Sequence, residues 1–292
     1  MHSNNEKSKI YNTIRELKNW LLYSGIQSTD DDFTKGSFRI YYNTETDSYA
    51  FAYSELTGYA ITSFLYINEF DPDPLLIERA KLAANYIINL AEKNIYGAIE
   101  DRFFYESKTM RPWLFSFDNG ICLNGIVNLY KYTNEKKYLE IAQKIANWLI
   151  NDMQKPDGSF HAAYDYKEGK LIEDLSAWSL HSEPHHAKIA IGLLNLYEIT
   201  RDNLLKEKAF KICQWALKKQ KNDGRFVTFQ LKEDTQTHAH LYTAEALLYA
   251  GLKYKNERFI KSSQKATDWI ISLQFPNGAF PRQFIDGKSI FE

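Results

Sequence analysis

The chain has 292 residues, enough for one large core or two small ones, and its 36 basic and 37 acidic side chains leave a net charge of −1. That balance gives no reason to expect a nucleic-acid or anionic-membrane partner. No stretch is long and apolar enough to span a bilayer, and the opening Met-His-Ser-Asn-Asn-Glu-Lys lacks the apolar centre of a secretory leader. The two cysteines, Cys122 and Cys213, both fall in predicted helices, which reads as buried thiols in a reduced, cytoplasmic protein.

In chain order, residues 8–23 read as an amphipathic helix with Ile10, Ile14, Leu17, Leu21 and Leu22 on one face. A polar loop leads to Gly36-Ser-Phe38 and a short extended piece, with a small hairpin expected through Thr44 to Ser48. A helix from about Tyr53 to Glu69 is stopped by Asp71-Pro-Asp-Pro74, and residues 75–92 form its amphipathic partner. Residues 118–132 read as a buried helix, followed by the 3.6-residue stripe Tyr138, Ile141, Ala142, Ile145, Trp148 and Leu149. The turn Lys155-Pro-Asp-Gly-Ser-Phe160 closes that unit. A fourth unit runs from Glu183 through Trp215 to Phe226, and a fifth from Thr237 through Trp269 to Phe280.

These units repeat at fixed offsets. Adding 67 carries Tyr130 to Tyr197, Thr133 to Thr200 and Trp148 to Trp215, and adding 54 carries Trp215 to Trp269, Gln220 to Gln274 and Gly224 to Gly278. An offset of 62 relates Gly58 to Gly120 and Tyr86 to Trp148. Each unit is a buried helix, a short loop, an amphipathic helix and a Gly-x-apolar turn. The first helix of each pair is apolar almost all round and belongs on an inner ring, as in Ala187 to Leu196; the second belongs outside. The reading is an all-α protein: a single α/α toroid over residues 1–292, an incomplete barrel of four to five inner/outer pairs, its ring closed either by an irregular segment or by an inner helix beyond Glu292.

Aligning the inner helices places polar groups at one end of each. One column reads Ser54, Ser116, Glu183 and Thr237, which predicts N-caps at the three hydroxyls. Three residues on, it reads Thr57, Asn119, His186 and His240; between them lie Glu55, Asp118, His185 and His238. In a toroid such ends converge on one mouth. The loops entering the helices add aromatic residues with Arg and His, including Arg102 to Tyr105, Arg111-Pro-Trp113, His161, Tyr164 and Trp178 to His181. Aromatic faces stack on sugar rings and an Arg fork pairs with a carboxylate, so an oligosaccharide or polysaccharide is the expected ligand. Arg111 beside Trp113 is the expected carboxylate clamp, with Tyr53, Tyr59, Asn119, His161, Tyr164, His185 and His238 as further binding residues.

Two chemistries suit this set. Glu55, His186, His240 and Tyr242 supply groups for proton abstraction beside a carboxylate, as in uronate epimerases and lyases. Glu55, Asp118 and Glu183 supply carboxyl pairs for glycoside hydrolysis. A non-catalytic glycan-binding role is the other alternative. Pro184 places His181 ahead of the helix that carries His185, and His238-x-His240 is not a one-face pair, so no metal site is expected. No cofactor motif is present.

The Trp…Gln…Asp/Asn-Gly-x-Phe turns resemble those of the six-hairpin (α/α) toroid superfamily of carbohydrate-active enzymes. More narrowly, Tyr53-Ser-Glu-Leu-Thr-Gly-Tyr59, Phe117-Asp-Asn-Gly120 and Thr237-His-Ala-His240 resemble proteins encoded with surface-polysaccharide genes, which are similar to the helical domain of glucuronyl C5-epimerases. The resemblance implies action on an acidic, uronate-containing surface glycan, with epimerase or lyase chemistry ahead of hydrolysis.

Overall fold

The computed structural model describes residues 2–172, 174 and 177–291, without the side chains of residues 2–8 and of Gln230; the closure of the ring beyond Glu292 lies outside that description. Contacts gather the chain into two compact units, one of residues 1–112 and 122–144, the other of residues 113–121 and 145–292. Unit 1 holds α1 (His2–Tyr23), α2 (Ser54–Phe70) and α3 (Pro74–Glu92). Unit 2 holds α6 (Ile189–Thr200), α7 (Asn203–Leu217), α8 (Thr237–Tyr254) and α9 (Glu257–Ser272), while α4 (Ser116–Thr133) and α5 (Lys136–Trp148) contribute to both.

Outer helices begin on side-chain caps. Asp73 accepts from the Leu75 N–H and Asp202 from that of Leu204, both at 3.0 Å, and Asn256 accepts from Arg258 and Phe259. Inner helices end on left-handed residues that turn the chain within about two positions: Asn134, Arg201 and Lys255, with φ of 57°, 58° and 55°. The expected inner-helix caps are corrected. Ser54, Ser116 and Thr237 do not cap their own helices. Their hydroxyls donate to the carbonyls of Glu100 (2.5 Å), His161 (2.6 Å) and Pro281 (2.5 Å), so each ties a helix start to the extended segment of the next turn. In the fourth unit Pro184–Lys188 is a 3-10 segment, and α6 proper starts at Ile189.

The repeated Gln and Gly have one shared task. The side-chain amide of Gln154 donates to the carbonyls of Gly158 and Lys208, and that of Gln220 to Gly224 and Ser262; Gln27 does the same in unit 1 with Gly36 and Arg79. Each amide thereby pins its turn to the following outer helix. The glycine is obligatory: Gly158 has φ 96°, and a Cβ there would stand 2.8 Å from the Lys211 carbonyl oxygen.

Short antiparallel strands sit at the helix starts. In unit 1, Phe51–Tyr53 pairs with Arg102–Phe104, and the expected hairpin forms between Tyr42–Asn43 and Ser48–Tyr49. In unit 2, Trp113–Phe115, Ala163–Asp165 and Lys170–Ile172 form one sheet, and Thr235–Gln236, Gln283–Ile285 and Lys288–Ile290 another. The unit 2 core centres on α6, whose residues from Ile189 to Leu196 are all buried. Among the described residues no helix is long and apolar enough to cross a membrane.

Candidate active site

Five rings in unit 2 close on one another. Phe117, in the first turn of α4, lies 5.3 Å from His185 and 5.0 Å from Tyr242. Trp178 lies edge-on to His185 at 5.1 Å and to His238 at 5.2 Å, and His238 reaches Tyr242 at 5.8 Å. The circuit is Phe117–His185–Trp178–His238–Tyr242, drawn from the start of α4, the 3-10 turns Trp178–Leu180 and Pro184–Lys188, and the first two turns of α8. Offset and edge-on ring pairs at these distances are favourable, so the five rings hold one another in place and form one side of the candidate site, a cup of ring walls.

Two carboxylates lie beside this circuit in sequence. Asp118 follows Phe117 and Glu183 precedes Pro184-His185; both are 3% exposed. On the other side, Lys188 ends the 3-10 segment with its ammonium 4.4 Å from the Tyr242 ring centre and 2.7 Å from a Glu245 oxygen. Sequence reasoning omitted Lys188 and Glu245, used Phe117 only as part of a motif, and placed Trp178 only among the loops that enter the mouth. A lysine near the head of the otherwise apolar run Ala187 to Leu194 is the signal that could have found the first.

The histidines divide by environment. His185 is 2% exposed; burial, then the neighbouring His186 and His238, hold its pKa well below the usual value. Its Nδ1 has no hydrogen-bond partner among the described residues. His238 keeps an exposed edge, and desolvation by its ring neighbours, with the charge of Arg282, lowers its pKa. His186 is pushed down to about 3 and His240 to about 4, in both cases mainly by burial.

His240, expected as an acid–base group, is corrected to a structural residue. Its Nδ1 accepts from the Phe226 N–H at 3.1 Å, its Nε2–H donates to the Ala266 carbonyl at 3.0 Å, and its ring packs 4.8 Å from Trp269 of the outer helix α9. Thr57 performs the same task in unit 1, accepting from the Phe38 N–H at 2.9 Å. This column therefore pins the Gly-x-Phe turns. His186 stands at the same position, 1% exposed, with its ring 6.4 Å from that of Phe160, and a group that holds a proton so weakly is a poor acid at neutral pH. Asn119 is buried and donates to the Phe115 carbonyl at 2.8 Å.

Arg111, expected as a substrate clamp, turns its fork onto Asp101. Its Nε lies 2.8 Å from one carboxylate oxygen and a terminal nitrogen contacts the other. Arg102 binds the same buried carboxylate at 2.6 Å and lies over the rings of Phe51 and Tyr53. Trp113 donates its indole N–H to Asp165 at 3.1 Å, and Tyr164 is half-buried on the strand between them in register with Leu114. His161 offers its carbonyl to Ser116, with its own ring half-buried. Glu55, in the first turn of α2, and Tyr59 one turn on are half-buried residues of unit 1. Among the described residues no group of three His, Cys, Asp or Glu side chains is placed to hold a metal ion. Cys213 is buried, which pushes its thiol up to about 12 and removes it as a nucleophile.

The buried histidines set an acid limit on stability. Histidines with folded pKa values of about 3 and 4 take up protons in the unfolded chain from about pH 6.5 downward while the folded chain does not. Stability is therefore full above that value and falls as pH drops toward 4. Urea titrations from pH 7.5 to 4.5 should show the midpoint decreasing throughout, and the decrease should be smaller in His240→Gln. A midpoint independent of pH below 6.5 would contradict the burial assignment.

The sequence signature of glycosyl hydrolase family 88 matches residues 87–240, more than half of the chain, and spans Asp118, Glu183, His185 and His238. The chain belongs to glycosyl hydrolase family 88. No curated protein matches this family 88 chain. Solved structures place its fold among the α/α toroids. A cellobiose 2-epimerase from Bacillus thermoamylovorans aligns over 96% of this chain and 77% of its own, at 12% identity and a TM-score of 0.76. A family 76 α-mannanase from Bacteroides thetaiotaomicron aligns over 90% and 69%, at 14% identity and 0.73. The unsaturated glucuronyl hydrolase of Bacillus sp. GL1 aligns over 78% and 66%, at 15% identity and 0.64. The family 88 protein is thus an α/α toroid of the carbohydrate-active kind.

Proposed function

We propose that the protein hydrolyses a glycosidic bond at a uronate-bearing end of an acidic oligosaccharide, in a reducing, cytoplasmic compartment. Asp118 and Glu183 act as the acid–base pair, and the cup of five rings is the sugar platform. One observation carries this reading: two buried carboxylates, Asp118 and Glu183, are chain neighbours of ring residues that form one aromatic circuit within a family 88 span. Buried carboxyl groups beside apolar ring faces are what proton donation to a leaving oxygen needs. The low pKa of His186 and the two satisfied nitrogens of His240 count against the proton-abstraction set built on them. The likeness to a protein described as an unsaturated glucuronyl hydrolase supports the uronate, and the near-zero net charge supports a sugar over a nucleic acid.

One observation favours a second reading. His185, whose buried Nδ1 has no partner among the described residues, belongs to a circuit that also holds His238 and Tyr242. Those groups suit epimerisation at C5. Mass spectrometry of uronate oligosaccharides incubated in deuterated, 18O-labelled water separates the two. Hydrolysis predicts shorter chains with one 18O per break and no deuterium on carbon. Deuterium at unchanged chain length would replace it with the epimerase reading, and breaks that leave a new double bond without 18O would replace it with a lyase.

A further inference from the structure

We propose that Lys188 is the docking point for the substrate's carboxylate, and that Glu245 holds its place when the cup is empty. The proposal rests on the reading that an acidic sugar occupies the cup. Lys188 is 8% exposed overall, so its stem is packed and its ammonium is fixed, while Glu245 keeps 55% of its side chain in water. The pair is therefore asymmetric: a packed cation and a solvent-exposed anion. The ammonium stands 4.4 Å from the centre of the Tyr242 ring, itself one wall of the cup. A sugar stacked there brings a ring carboxylate to the face where Lys188 and Glu245 meet.

Exchanging Glu245 for a substrate carboxylate preserves one negative partner for the buried ammonium, so no uncompensated charge arises during binding. The displaced Glu245 returns to solvent, where its hydration cost is small. A neutral sugar gains nothing from the exchange and leaves Glu245 in place. Lys188 is thus a specificity-determining residue that discriminates uronates from the corresponding neutral sugars. The competing explanation is that the pair merely braces the 3-10 segment against α8.

Calorimetric binding of a disaccharide with a terminal glucuronate, and of its carboxyl-reduced counterpart, separates these roles. The wild-type protein should bind the acidic probe about 10- to 100-fold more tightly, the worth of one charge-assisted contact. Lys188→Met keeps the packed stem and should erase that preference by weakening the acidic probe alone. Lys188→Arg should retain most of it. Glu245→Gln should bind the acidic probe at least as tightly as wild type, because the competitor is gone. Equal weakening of both probes in Lys188→Met, a preference that survives it, or no preference in the wild type would each overturn the proposal. Failure to cleave a bound acidic sugar would instead overturn the hydrolytic reading and leave this one standing.

Discussion

Asp118→Asn should fold as the wild type does and lose activity on a uronate oligosaccharide by about 10³-fold or more, the range expected when a positioned proton-transfer group is removed. The substitution is isosteric, and Asp118 lies at the start of α4 beside Phe117, so the rings of the cup stay in place. The loss should fall on kcat, with KM changed by less than about threefold, because the carboxyl group acts in the transition state and the sugar is held by the rings. Glu183→Gln should show the same split. The double variant should be little worse than either single one, since members of an acid–base pair act as a unit. A KM-dominated effect in Asp118→Asn would make this residue a binding group, and near-normal turnover would remove it from the chemistry.

The second large effect concerns stability. Asp101→Ala should destabilise the protein by about 3 kcal/mol, the cost of removing one partner from a buried ionic cluster. Asp101 has no exposed side-chain surface, and it holds the guanidinium groups of both Arg102 and Arg111. Without it two cations face each other across the strand pair of unit 1. The arginines retain 25% and 22% side-chain exposure, and solvent screening sets the effect at the lower end of the expected range. Chemical denaturation is the check. A change below about 1 kcal/mol would mean the arginines find other partners, and would return Arg111 to the list of groups able to meet a substrate.

The hairpin array was legible because helical period, Gly and Pro punctuation and the Trp, Gln and Gly offsets all agree across the units. What the residues do at the helix starts was less legible, for two physical reasons. A hydroxyl at a helix start reads as a cap from sequence, yet Ser54, Ser116 and Thr237 bond to carbonyls about 45 residues onward, a pairing that no local pattern encodes. A histidine three residues into a helix reads as a titrating group. His240 is instead the larger equivalent of Thr57, and each accepts the turn's Phe N–H. The repeat alignment contained that equivalence, since a threonine in the same column has no acid–base chemistry to offer. Arg111 failed as a clamp for a simpler reason: Asp101 lies ten residues upstream, and only the pairing of short strands brings it alongside. Asp118, Glu183, His185, His238 and Tyr242 were singled out by chemistry and position together, and the structure brings the rings of the last three into one circuit; Lys188 was not singled out because its partner, Glu245, lies 57 residues away.

The most direct test of the central claim is a crystal structure of Asp118→Asn soaked with a uronate-ended oligosaccharide. The account predicts a sugar ring within the circuit of Phe117, Trp178, His185, His238 and Tyr242, with its scissile oxygen within hydrogen-bond reach of residue 118 or Glu183. A sugar bound elsewhere while those five rings stay closed on one another would contradict it.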